Sequence, residues 1–311
     1  MKVGVKTIKL FCSIIEFIFM RHILLFFAIV SVMASCSQDI LPVDEVNESE
    51  TFTGQLMDAF SRTSIDANND VIWQSDDEIS IFTKTGYHQQ WKVKEGAGTT
   101  SATFGFVSSL VKTSAFDSHY AIYPFNANYQ ISENKQVTVD LSSWANQVYQ
   151  EGTFESGKSV MTAKSTTMNL PFLNASSLVR VELSSVVPGS YSISSISLSS
   201  SQALNGSGVI DLSVDKPIVT LTGTADVNKC ITLQCAQPVL LEDMPVDFYI
   251  LVPAKTYSDL TLAIKGTNEM DGTPFSWSAK LTNVTCNRSK IRPIQKTFDP
   301  VEFSGSLEGT N

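Results

Sequence analysis

The densest group of ionisable side chains is Asp76-Asp77-Glu78, set within a stretch running from Trp73 to Phe82. Two carboxyls facing each other about 5–10 Å apart could serve as acid and base on a glycosidic bond. Neighbours along one strand point to opposite faces, so this trio reads instead as a turn leading into a strand. No GxSxG elbow, P-loop, HExxH or CxxC occurs in the chain. Neither catalytic residues nor a cofactor are expected. Asp271-Gly272 reads as a hairpin turn rather than a calcium loop, because the further oxygen ligands are missing. Four tryptophans, Trp73, Trp91, Trp144 and Trp277, could stack on sugar rings if exposed. Trp73 and Trp91 lie in alternating segments and read as core. Trp144 sits in an unpatterned stretch and is the candidate glycan contact.

Residues 20–36 carry Arg21, an apolar run from Ile23 to Met33, then Ala34, Ser35 and Cys36. This is the layout of a secretory signal, and the run is too short to span a bilayer, which takes about 20 residues. The small residues before Cys36 resemble a lipobox. That resemblance implies cleavage before Cys36 and acylation of its sulfur and new amino group, with an uncleaved signal anchor as the alternative. Residues 1–19 fit the signal badly, so Met20 is the expected initiator. The expected organisation is a signal peptide over 1–35 and a lipidated flexible tether over 36–50.

Removing residues 1–35 takes away four basic residues and one acidic one, so the net charge moves from −9 to −12. An acidic chain without a basic run excludes nucleic acid as a partner. After Cys36 the cysteines are Cys230, Cys235 and Cys286. The first two fall on opposite faces of one strand. Either could pair with Cys286, or all three could be small buried hydrophobes. No metal site is expected, because only His88 and His119 remain and neither is near a cysteine in sequence.

The elements that must position these residues are strands. Serine and threonine number 67, and short alternating segments bounded by Gly, Pro, Asn and Asp dominate. The fold class is therefore all-β: two tandem antiparallel β-sandwich domains over 51–166 and 167–298, although periodicity does not separate sandwich from barrel. Phe52, Gly54 and Leu56 alternate in a first strand. Val179, Val181 and Leu183 alternate in another, and 248–252 is apolar throughout, as for a strand covered on both faces. Residues 142–158 read as a connection with a short helix near 144–149. Residues 166–178 read as a linker, with Pro171 at an edge or bend. Val301, Phe303, Gly305 and Leu307 alternate in the last segment, 299–311, which reads as a donor strand, an ordinary final strand or a tail.

Several segments together resemble the fimbrillin-like lipoproteins of Bacteroidales, the subunits and accessory proteins of type V pili. They are Arg62-Thr63-Ser64-Ile65, Val71 through Phe82, Tyr120-Ala121-Ile122-Tyr123-Pro124-Phe125, Phe248 through Ala254 with Leu260-Thr261-Leu262, and Asn287 through Ile291. Asp76 stands where the family pattern has glycine. The resemblance implies two transthyretin-like sandwiches and a lipoprotein displayed on the outer membrane. It also implies cleavage between Arg62 and Thr63, and polymerisation when a strand from another subunit fills the vacated groove. Expected partners are other pilus subunits, the outer membrane through the lipid, and host or bacterial surface ligands. The alternative function is an outer-membrane surface lipoprotein that binds glycans.

Overall fold

A computed structural model describes residues 50–57, 64–65 and 71–299. Its strands, in chain order, are β1 Thr51–Leu56, β2 Ser64–Ile65, β3 Val71–Ile72, β4 Glu78–Phe82, β5 Tyr87–Glu95, β6 Ser101–Lys112 and β7 His119–Tyr123. Next come β8 Gln136–Asp140, β9 Asn146–Val148, β10 Met161–Ser165, β11 Asn169–Asn174, β12 Ser176–Ser185, β13 Tyr191–Ser199 and β14 Ser207–Asp211. The last are β15 Val219–Leu221, β16 Cys230–Leu240, β17 Val246–Pro253, β18 Lys255–Asn268, β19 Thr273–Cys286 and β20 Ile291–Phe298. The described residues contain no α-helix; two single turns of 3-10 helix, Ser142–Ala145 and Asp226–Lys229, interrupt the strands.

Strands β1, β11, β10, β7, β4, β5 and β6 pair in that order and the ring closes, β6 against β1. The expected first sandwich is thus a closed barrel, a distinction alternation alone does not carry. Its interior holds Phe52, Trp73, Ile79, Ile81, Trp91, Phe104, Tyr123 and Phe172. The second body is two layers, β17-β12-β20 and β19-β18-β13-β16-β9, enclosing one core. Between barrel and layers lies a further core, to which the small sheet β15-β14-β8 contributes.

Period-2 alternation explains how strands serve two cores at once. In β7, Ala121 and Tyr123 face the barrel interior while Tyr120 and Ile122 face the middle core. In β17, Phe248, Ile250 and Val252 face the layered core while Tyr249 and Leu251 face the middle one. A strand buried on both faces must be apolar at every position, which is the pattern of residues 248–252.

The division expected at residue 166 is not where the pairing divides. Strand β11 lies beyond it yet completes the barrel, while β8 and β9 lie before it yet pair with β14 and β16. The short helix expected at 144–149 is one 3-10 turn followed by β9. The Asp271-Gly272 turn does close a hairpin, with Asn268 opposite Thr273 at its neck and Gly272 at a positive φ of 70°.

Candidate assembly site

Strand β1 is held on both sides. It pairs antiparallel with β6, Thr51 opposite Gly105 through Gln55 opposite Ser101, and parallel with β11, Thr53 opposite Asn169 through Leu56 opposite Phe172. Phe52, Gly54 and Leu56 point into the barrel, where Phe52 is 1% and Leu56 8% exposed. Burial of such a pair of side chains contributes about 3–6 kcal/mol. The Phe52 ring meets Trp91 edge-on at 4.8 Å and His119 at 5.0 Å. Gly54 lies beneath Phe104, and a Cβ added there would stand 2.6 Å from Phe104 Cε2. The Trp73 indole Nε1 donates to the Gly54 carbonyl at 3.2 Å. Trp73 is itself fixed edge-on by Phe104, Tyr123 and Phe172 at 5.0, 5.7 and 5.3 Å. The slot around β1 is therefore shaped by packed aromatic rings: large, small, then aliphatic along the strand.

Of the Asp76-Asp77-Glu78 trio, Asp77 serves this frame. Asp77 Oδ1 accepts from the Tyr123 hydroxyl at 2.9 Å, and its Oδ2 accepts from the Gln74 N–H at 2.7 Å. That closes the turn between Trp73 and β4. Burial, then the charges of Asp77 and Asp76, hold the Tyr123 phenol far above its ordinary pKa. The Asp77 carboxylate is thus occupied by the fold.

Two histidines lie in the barrel wall. His88 is fully buried, stacked on Phe82 at 4.6 Å, and neither ring nitrogen has a hydrogen-bond partner. Burial lowers its pKa to about 4. His119 Nδ1 likewise has no partner, and its pKa is lowered by burial and by the Lys84 charge.

The candidate glycan contact requires correction. Trp144 is 1% exposed, lies in the middle core, and donates from Nε1 to the Lys158 carbonyl at 3.0 Å. It is the buried residue of the 3-10 turn that carries it, and its indole packs in that core. No ring face is left for a sugar. Trp73 and Trp91 are also buried. Cys230 is exposed, Cys235 half-buried and Cys286 buried, and all three are free thiols. The expectation that all three are buried hydrophobes therefore fails at Cys230. The described residues contain no cluster fit to hold a metal, and no helix among them is long and apolar enough to cross a membrane. Cys36, Arg62, Thr63, Val301, Phe303, Gly305 and Leu307 lie outside the described residues.

Strand β11 escaped the sequence reading. Its signal was present, since Met168, Leu170 and Phe172 alternate, but Pro171 argued for a break. Leu170 and Phe172 face the barrel interior. The register places Thr162 opposite Leu173, and the β10 ladder does not continue as far as Pro171. The missing N–H therefore leaves no ladder bond unmade.

No protein-family model matches the chain, and no curated protein matches it. Among solved structures, a candidate cell adhesion protein from Bacteroides ovatus is 11% identical, over 80% of this chain and 91% of that one, with a TM-score of 0.54. A second such protein, from Bacteroides uniformis, is 16% identical over 81% and 94%, with a TM-score of 0.49. A fimbrial protein from Bacteroides vulgatus is 11% identical over 73% and 90%, with a TM-score of 0.38. At these identities the likeness is one of fold. The chain thus shares its overall fold with the Bacteroides ovatus candidate cell adhesion protein.

Proposed function

We propose that this chain is a cell-surface structural and adhesive subunit of a type V pilus, assembled by strand exchange. In this reading it is exported as a lipoprotein acylated at Cys36 and anchored in the outer membrane. Its barrel and layered body act as the two transthyretin-like modules. Cleavage between Arg62 and Thr63 then releases β1. Other pilus subunits are its partners, and its substrate-free role is joining and adhesion.

The observation that carries this reading is the position of β1. It is sequence-distant from both its neighbours, β6 and β11, and it supplies an inward row of side chains to the barrel. Its link to the remainder of the barrel contains Arg62. Removing such a strand leaves two rows of backbone donors and acceptors and an apolar slot, which an incoming strand can satisfy together. The alternating segment Val301, Phe303, Gly305, Leu307 is the candidate donor. The glycan-binding alternative loses its candidate contact, because Trp144 is buried.

The test is to treat the full-length chain with an arginine-specific protease and run the products on a denaturing gel without boiling. A heat-resistant ladder whose subunits begin at Thr63 is expected. Monomers that keep Cys36 at the N-terminus, or a ladder unaltered by deleting residues 299–311, would refute the proposal.

A further inference from the structure

Strands β10 and β11 part on the outer face of the barrel. Met161, Ala163, Leu170 and Phe172 face the interior, so Thr162, Lys164, Pro171 and Leu173 share the outer face. The ladder between the strands pairs Met161 with Asn174 and Thr162 with Leu173, and there it stops. The segment 212–217, between β14 and β15, covers the gap. It is pinned on both sides: Leu212 N–H donates to the Lys135 carbonyl at 2.9 Å, and Val219 N–H to the Ala175 carbonyl at 3.4 Å. At its start Asp211 Oδ1 accepts from the Ser213 N–H at 2.9 Å. Strands and segment together line a cleft of about 190 Å³. Its walls include Pro171, Leu173, Leu212 and Pro217, and its side-chain hydrogen-bonding groups are those of Thr162, Lys164 and Asp215.

Thr162 is the residue the fold leaves unexplained. It is 2% exposed, and its hydroxyl has no hydrogen-bond partner among the described residues. Buried polar groups in folded proteins are paired with few exceptions. Valine would fill the same space without stranding an oxygen, so packing alone gives no reason for threonine here. A hydroxyl kept dry in the wall of a preformed cleft is satisfied by a group that enters the cleft.

We infer that this cleft binds one neutral pyranose ring, the end residue of a glycan. This rests on the adhesive part of the function proposed above and names its ligand. The volume is below the about 300–1,000 Å³ of sites for drug-sized molecules, which limits the occupant to a single small ring. Lys164 donates hydrogen bonds, Asp215 accepts them and Thr162 does either, while the prolines and leucines offer apolar surface. A pyranose carries hydroxyls around its rim and C–H groups on its faces, so it answers both kinds of wall. One cation and one anion cancel, which disfavours a ligand of net charge. They also stand on separate elements, Lys164 on β10 and Asp215 on the covering segment. That placement suits hydroxyls spread around a ring better than the ammonium and carboxylate that an amino acid bears on one carbon.

The test titrates the uncleaved full-length chain, methyl-labelled with carbon-13 at leucine, with the methyl glycosides of glucose, galactose, mannose and fucose, read by two-dimensional NMR. The Leu173 and Leu212 methyl resonances are expected to move with at least one glycoside, while those of Leu170, inside the barrel, stay in place. Thr162→Val removes an unmet hydroxyl, so it should fold at least as stably as wild type and yet weaken binding about tenfold. Asp215→Asn, at an exposed position, should also weaken binding. No shift with any of these glycosides, equal affinity in Thr162→Val, or the same shifts produced by free alanine in their place would overturn the sugar site. The outcome is separable from that of the protease and gel experiment. A chain that forms the ladder without binding sugar keeps the pilus reading and loses this site, and one that binds sugar without forming the ladder does the reverse.

Discussion

Gly54→Ala tests whether the β1 slot is as closely shaped as the coordinates describe. Gly54 does not adopt a positive φ, so the backbone itself accepts alanine. In open surroundings the change would stabilise the fold by about 0.4–1 kcal/mol, by restricting the unfolded chain. The surroundings reverse the sign. The new methyl would stand 2.6 Å from Phe104 Cε2 and 3.3 Å from Phe172 Cε2. Phe104 is fully buried and braced edge-on by Trp73, so the ring moves only if its neighbours move with it. Overpacking of this kind costs about 1–3 kcal/mol, which leaves a net loss of roughly 1–2 kcal/mol after the entropic gain. With a urea slope of about 3 kcal/mol/M, the midpoint should fall by about 0.3–0.7 M. Phe104→Leu supplies the control, because in that background the alanine should cost measurably less, and the difference is the coupling between the two positions. A midpoint for Gly54→Ala equal to or above wild type would refute the argument, since the slot would then be loose enough to admit any strand.

Two further outcomes follow from buried polar groups. His88 is neutral and without partners in the fold, with a pKa near 4 against an ordinary 6.5. Above pH 6.5 both folded and unfolded chains leave it neutral. As pH falls from 6.5 to 4 the unfolded chain takes the proton first, so up to about 3 kcal/mol of stability is lost; below pH 4 the loss stops. Urea midpoints at pH 7 and pH 4.5 should therefore converge in His88→Leu relative to wild type, and an equal acid shift in both proteins would refute it. Gln147 caps the open edge of β17, its Nε2 donating to the Leu251 carbonyl and its Oε1 accepting from the Leu251 N–H, each at 2.9 Å. Gln147→Leu leaves both backbone groups buried and unmet, which should destabilise the chain by about 2–4 kcal/mol, read as a lower denaturant midpoint.

Much of the fold was readable before any coordinates. The segment from Phe248 to Val252 announced a strand buried on both faces, and it lies between two cores. The Asp271-Gly272 hairpin was local and was found where expected. The failures were non-local. Asn169–Asn174 looked like a linker because proline argued against a ladder, yet its ladder bonds are made on one side only over that stretch. Trp144 looked exposed because its segment lacks alternation, but a 3-10 turn has no period-2 pattern to display. Cys230 and Cys235 were placed on opposite faces correctly; which face was buried depended on β13 and on the core beyond it.

The sequence by itself determined that this protein is built of strands, where most of them lie and which residues of each share a face. Those properties depend on the two-residue repeat of an extended backbone, and that repeat is written locally. Only the tertiary structure decided the partners: that β1 joins β6 to β11 and closes a ring, and that Trp144 turns inward. Pairing across more than a hundred residues is settled by which faces must be dried together, and that is a property of the assembled core.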